Sequence, residues 1–222
     1  MNNDFEIMKN KYLKEEKCNE FIKEEYVEEY IRARKYIVDR LFEAKYELLL
    51  VGKMNQKCEY KTADELTEKE IAIRVTFRQI YISLVWGLVV DIKSLVDDTG
   101  SDTLHISKFK KMVELWAKEG KKDEINGTLR NLGWNTNKGI IKQKISNISK
   151  YRDKIIAHNI YEAPCLKISL DELEYVLINV SELIEYLCFD ASYYGKKEKD
   201  IYGEKQDFID TFLKQLFDEK KD

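Results

Sequence analysis

One proline, Pro164, stands in a chain of 222 residues, where ordinary usage of about 5% would place about eleven. Proline and glycine are the residues that stop helices and shape tight turns. Glycine is scarce too, at nine. A sandwich or barrel of many short strands needs a turn signal roughly every 8–12 residues, which this chain does not supply. Long helices are what remain. Hydrophobic residues make up 44% and charged residues 36%, a balance that excludes intrinsic disorder and suits charged amphipathic helices. The length fits one domain, which at this size buries roughly 70% of the surface of its unfolded chain and needs no disulfide or metal staple.

Lysine and arginine number 38 against 41 aspartates and glutamates, a formal net charge of −3. No global field draws such a chain to nucleic acid or to an anionic membrane, so any contact with phosphate must come from a local site. The cysteines, Cys18, Cys58, Cys165 and Cys188, lie far apart with no CxxC or Cys/His cluster. Zinc sites and disulfide frameworks are therefore not expected, nor is any cofactor, and free thiols suit a reducing cytoplasm. The opening Met-Asn-Asn-Asp-Phe-Glu is not a signal peptide. The most apolar run, Ile80 to Val90, is eleven residues long, short of the ~20 that span a bilayer, and reads as a core segment rather than a membrane helix.

The periodicity predicts an all-α chain: an antiparallel four-helix bundle with extra short helices. Residues 1–18 read as a charged arm, 19–195 as the helical bundle, and 196–222 as a linker with a short helix from Gln206 to Phe217. The first long helix runs from Asn19 to about Lys53, with Ile37, Leu41, Ala44, Leu48 and Val51 on one stripe, followed by a loop from Met54. The second starts near Thr62 or Thr67, where Thr67 and Glu70 match a capping box. Its stripe is Tyr81, Val85, Leu88, Ile92 and Leu95. Apolar almost all round near Trp86, it is predicted to be the central helix, with Gly87 allowing a neighbour to approach. The acidic turn Asp97–Asp102 lacks the glutamate that closes a calcium loop. A shorter helix from about His105 to Lys118, turn signals at Asn126-Gly127 and Gly133, and helices at Lys138–Asn159 and Leu170–Tyr194 complete the reading. Ser169 and Glu172 form a capping box for the last of these.

Chemistry concentrates in Tyr151-Arg152-Asp153-Lys154-Ile155-Ile156-Ala157-His158-Asn159. Continuing the spacing of Ile141, Ile145 and Ile148 puts Arg152 where the helix should bury an aliphatic residue. At 100° per residue, Arg152 and His158 flank the Ile155 direction by about 60° on either side, about 9 Å apart along the axis. Arginine is almost never buried unless paired, so its place needs a reason: a carboxylate partner, a subunit interface, or a cleft that receives an anion. In the structural alternative, Arg152 pairs with a core carboxylate and His158 caps the helix C-terminus.

Arg152-Asp153, four residues, then His158 resembles the Arg-polar-x(3–5)-His signature of the HEPN superfamily (higher eukaryote and prokaryote nucleotide-binding). The phrase Tyr-Arg-Asp-Lys-x-x-Ala-His-Asn is also similar to the abortive-infection AbiU-type branch, as is an apolar helix leading into Val96-Asp97-Asp98-Thr99-Gly100-Ser101-Asp102-Thr103-Leu104. The resemblance covers roughly Asn19 to Gly195. It implies a helical bundle that forms a homodimer, bringing two Arg/His motifs into one cleft, and, in active members, a metal-independent endoribonuclease of phage defence or a toxin–antitoxin system. Carried over, His158 is the general base on the ribose 2′-hydroxyl or the acid to the leaving 5′-oxygen. Arg152 holds the scissile phosphate and Asp153 orients the pair. The residue types suit these tasks. Imidazole exchanges protons near neutrality, guanidinium is an always-charged fork for phosphate, and RNA carries its own nucleophile.

Some members of the family carry a tyrosine two residues after the histidine, modified by a nucleotidyltransferase antitoxin partner; here Tyr161 is three residues after. Arg74 and Arg78, one turn apart on the second long helix, are candidates to line a phosphate or nucleotide cleft with Asn159, or else form a solvated face. The second functional reading is a non-catalytic HEPN-like module that binds nucleotide or a protein partner.

Overall fold

The computed structural model describes residues 17–57, 68–96, 104–131, 140–153, 168–189, 194–195 and 206–214. Among them the regular elements are all helical, with backbone pairing of strand type confined to an isolated antiparallel bridge between Ile22 and Ala117. The chain is all-α. Its helices are α1 (Lys17–Phe21), α2 (Val27–Lys57), α3 (Glu68–Val96), α4 (Ile106–Trp116), α5 (Lys122–Asn131), α6 (Ile140–Tyr151), α7 (Leu170–Leu187) and α8 (206–214). Short 3₁₀ turns at Glu24–Tyr26 and Glu119–Lys121 lead into α2 and α5.

The centre of the fold is α2, not the second long helix. Helices α3, α4 and α7 all pack on it, while α6 lies against α3 and α7. The reason is visible along α2: Tyr30, Ile37, Val38, Leu41, Phe42, Ala44 and Val51 are buried and cover more than one face. By contrast α3 is apolar all round but only partly covered. Leu88, Val89, Ile92 and Leu95 are buried, whereas Val75 is 56% exposed and Ile80 44%. The Ile80–Val90 run is thus not wholly core. A Cβ built on the exposed Gly87 meets nothing within 4 Å, so none of the described helices approaches closely there. By length and composition alone, the stretch Arg74–Val96 could cross a membrane; core helices of soluble proteins pass the same test.

Several boundaries differ from the sequence reading. The first long helix is broken at Ile22 and Lys23, where Lys23 N–H donates to the Trp116 carbonyl and Lys118 N–H to the Phe21 carbonyl. At its other end α2 continues to Lys57 and buries Met54. Met54 joins Phe77 of α3 and Ile209 and Leu213 of α8 in a second apolar cluster, which ties the C-terminal helix to the body. The core also reaches back to Cys18. Asn126-Gly127 lies inside α5 rather than in a turn.

Helix α7 begins as expected. The Ser169 side chain accepts from Glu172 N–H, and the Glu172 carboxylate accepts from Ser169 N–H. It ends at Leu187, seven residues short of Tyr194. Its last carbonyls are satisfied from α2: the Tyr30 hydroxyl donates to the Leu187 carbonyl at 2.8 Å and Arg34 Nη1 to the Cys188 carbonyl at 3.3 Å. Phe189 then takes φ 52°, a left-handed conformation that disfavours non-glycine residues. It stacks on Phe21 and packs against Tyr30 and Tyr186, contacts that hold it there. Farther along, Lys45 of α2 donates to Ser181 of α7 at 2.7 Å and to Tyr194 at 3.0 Å, and Ser181 and Tyr194 hydrogen-bond each other. This polar knot closes the bundle where the apolar stripes give way.

Candidate functional site

Helix α6 holds its buried stripe at Ile148 and keeps α-helical hydrogen bonding to Tyr151. Arg152 and Asp153 then form a wider, π-type turn, a feature that often marks functional positions. The Arg152 side chain is 40% exposed instead of buried, and its Nη1 donates to Asp153 Oδ1 at 2.8 Å. Among the described residues its carboxylate partner is the adjacent one, itself 51% exposed. His158 and Asn159 lie outside the described residues, as do Tyr161 and Pro164.

Immediately before the ion pair, Tyr151 lines a pocket of about 470 Å³, a size typical of small-molecule sites. Four elements build it. Helix α3 contributes Tyr81, Ile82, Val85 and Trp86; the C-terminal end of α2 contributes Asn55; the start of α7 contributes Ile168, Leu170, Asp171 and Leu173. Among the described residues its walls are aromatic and aliphatic, with one amide and one carboxylate. The sequence reading assigned Tyr81 and Val85 to the buried stripe of α3. They are half-buried because α6 and the start of α7 do not close over them.

Arg78 is exposed and Arg74 half-buried. On α3, Arg74, Arg78 and Ile82 follow one another at i, i+4 spacing, about 6 Å per step along the axis. The arginines therefore form a stripe that runs down to the pocket. The sequence paired them with each other but not with Tyr81 and Trp86, nor any of these with Asn55 and Asp171. Aromatic residues recurring on an apolar stripe were the signal available, and a core stripe gives the same pattern.

Elsewhere, Glu47 of α2 hydrogen-bonds with Asp91 of α3; burial, and then Asp91, push the Glu47 carboxyl up to about 7. Among the described residues no group of three or more His, Cys, Asp or Glu side chains is placed to hold a metal ion. His105 is half-buried at the N-cap of α4. Comparison with protein-family models, with curated proteins and with solved structures finds no match.

Proposed function

We propose that this chain is a HEPN-like metal-independent endoribonuclease, acting in phage defence by abortive infection or as the toxin of a toxin–antitoxin pair. The observation that carries the reading is the half-exposed Arg152–Asp153 pair in its π-type turn, one residue beyond an aromatic-walled pocket. The resemblance of Arg152, Asp153 and His158 to the Arg-polar-x(3–5)-His signature supplies the chemistry. Arg152 holds the scissile phosphate and offsets its developing charge. His158 takes the 2′-hydroxyl proton, the 2′-oxygen attacks phosphorus, and the bond to the 5′-oxygen breaks as that oxygen gains a proton. The products are a 2′,3′-cyclic phosphate and a 5′-hydroxyl. Asp153 fixes the fork of Arg152.

The four long helices α2, α3, α6 and α7 supply the four-helix bundle of this reading. The active form is a cytoplasmic homodimer that places two copies of the motif in one cleft. The exposed Ile71, Val75, Ile80 and Val90 on α3 support self-association, since apolar side chains left uncovered gain from burial against a partner. A nucleotidyltransferase antitoxin fits the toxin variant of the proposal.

The second reading is a non-catalytic HEPN-like module that binds nucleotide or protein. The net charge of −3 favours it, because a nuclease gripping a long polyanion gains from a basic surface. Incubating the purified protein with cellular RNA in EDTA, beside Arg152→Ala and His158→Ala, separates the two. The proposal expects cleavage that leaves cyclic phosphate ends and disappears in both variants. Absence of cleavage in the wild type, or its persistence in both variants, leaves the second reading.

A further inference from the structure

We infer that the pocket between α2, α3, α6 and α7 receives an unpaired guanine base, with Asp171 reading its Watson–Crick edge. The inference deepens the ribonuclease reading and rests on it only for the identity of the polymer; the binding of the base stands on the pocket itself.

Three features converge. First, the walls. Tyr81, Trp86 and Tyr151 bring three aromatic side chains to a cavity of about 470 Å³, large enough for one base with its ribose. Aromatic faces are the usual platform for unstacked bases in single-stranded RNA. Second, the charges. Arg78 sits one turn before Ile82 on α3, and Arg152 directly follows Tyr151 in the chain, so two lining residues each have an arginine close by along their own helix. That arrangement suits a nucleotide, whose phosphates stay with the arginines while the base enters. Third, the polar groups in the lining. Asp171 is exposed in the first turn of α7, and Asn55 is exposed near the end of α2.

The carboxylate selects among bases. An ionised carboxylate accepts and does not donate. Guanine presents adjacent donors on its Watson–Crick edge, N1–H and N2–H, which one carboxylate engages with both oxygens. Adenine and cytosine each place a ring-nitrogen acceptor beside their single amino group, and uracil flanks its one N–H with two carbonyls. All three set an acceptor against Asp171. The Asn55 amide supplies a donor for the guanine O6. A bidentate contact of this type discriminates by roughly tenfold or more.

The test is calorimetric titration of the full chain with GMP, AMP, CMP and UMP. Saturable GMP binding, roughly tenfold or more tighter than the other three, is expected. Asp171→Asn is expected to abolish that preference, and Tyr151→Ala to weaken all four nucleotides together. Circular dichroism confirms that both variants remain helical. No saturable binding, equal affinity for all four nucleotides, or an unchanged preference in Asp171→Asn overturns the inference. RNA cleavage separates the two levels. Selective GMP binding without cleavage removes the ribonuclease and keeps the guanine site. Cleavage without any nucleotide preference removes the guanine site and keeps the ribonuclease.

Discussion

Glu47 on α2 and Asp91 on α3 are hydrogen-bonded carboxyl groups at the seam between the two longest helices. Burial raises the Glu47 carboxyl most, Asp91 adds to it, and Glu43 one turn earlier adds a little more, bringing it to about 7. The pair is neutral enough to hold together when Glu47 carries its proton and repels itself when it does not.

Stability should therefore fall as pH rises. A carboxyl raised in the folded state binds more protons there than in the unfolded chain, between its unfolded value near 4.5 and about 7. Its charging opposes folding across that window. Urea unfolding at pH 5, 6, 7 and 8 should show a steady loss. Glu47→Gln, which keeps a donor for Asp91, should flatten the slope and gain on the order of 1 kcal/mol at pH 8, after discounting for the half-exposed site. An identical slope in the variant would place the pH dependence elsewhere.

The buried stripes were legible because helical periodicity records burial directly: Ile37, Leu41, Ala44 and Val51 of α2 are buried, and so are Leu173, Val176, Leu177, Val180, Leu183, Ile184 and Leu187 of α7. Which helix is central was not legible. Overall hydrophobicity pointed to α3, but centrality depends on how many neighbours a helix meets. Arg34 illustrates the limit: it is 3% exposed, and one partner of its guanidinium is the Cys188 carbonyl, 154 residues away. Arg152, placed by its phase among aliphatic stripe positions, is 40% exposed in a π-type turn, and nothing in the composition of Lys150-Tyr151-Arg152 announces that turn.

The capping box of α7 offers a local test. Ser169→Ala removes the acceptor for Glu172 N–H at the start of the helix that carries Asp171. An N-cap of this kind contributes about 1 kcal/mol. A fall of that size in urea-derived stability is expected, with Glu172→Ala giving a smaller one. A loss below a few tenths in Ser169→Ala would mean that α7 is held by packing alone.

The other end of α7 depends on α2. Burial pushes the Tyr30 hydroxyl well above its usual range, so it stays a proton donor to the Leu187 carbonyl. Tyr30→Phe keeps the ring stacked between Phe109 and Phe189 and deletes that bond together with the hydroxyl's contact to Arg34. The expected cost is about 1–2 kcal/mol, read by thermal unfolding, with amide exchange accelerated in the last turn of α7 first.

Self-association through α3 predicts a split between folding and assembly. Ile80 is exposed, so Ile80→Lys removes little from the monomer core. If the face is shared between two copies, the substitution buries two unpaired ammonium groups at the contact. Sedimentation equilibrium should show at least a tenfold weaker dimer, with the unfolding midpoint extrapolated to low concentration unchanged. A dimer unaffected by Ile80→Lys assembles through another face.

Arg152 separates catalysis from architecture. Had it been buried on the α6 stripe, truncation would have left a core acid uncompensated and cost several kcal/mol. In its half-exposed turn beside Asp153, the ion pair is worth at most about 1 kcal/mol. Arg152→Ala should therefore shift the thermal midpoint by only a few degrees. If the guanidinium grips the scissile phosphate, the same change should lower the cleavage rate at least a hundredfold, and Arg152→Lys should recover only part of it, because an ammonium keeps the charge and loses the fork. Asp153→Asn should leave intermediate activity, since the arginine stays charged but is no longer held by a carboxylate. Equal losses of stability and activity in Arg152→Ala would instead mark the residue as structural.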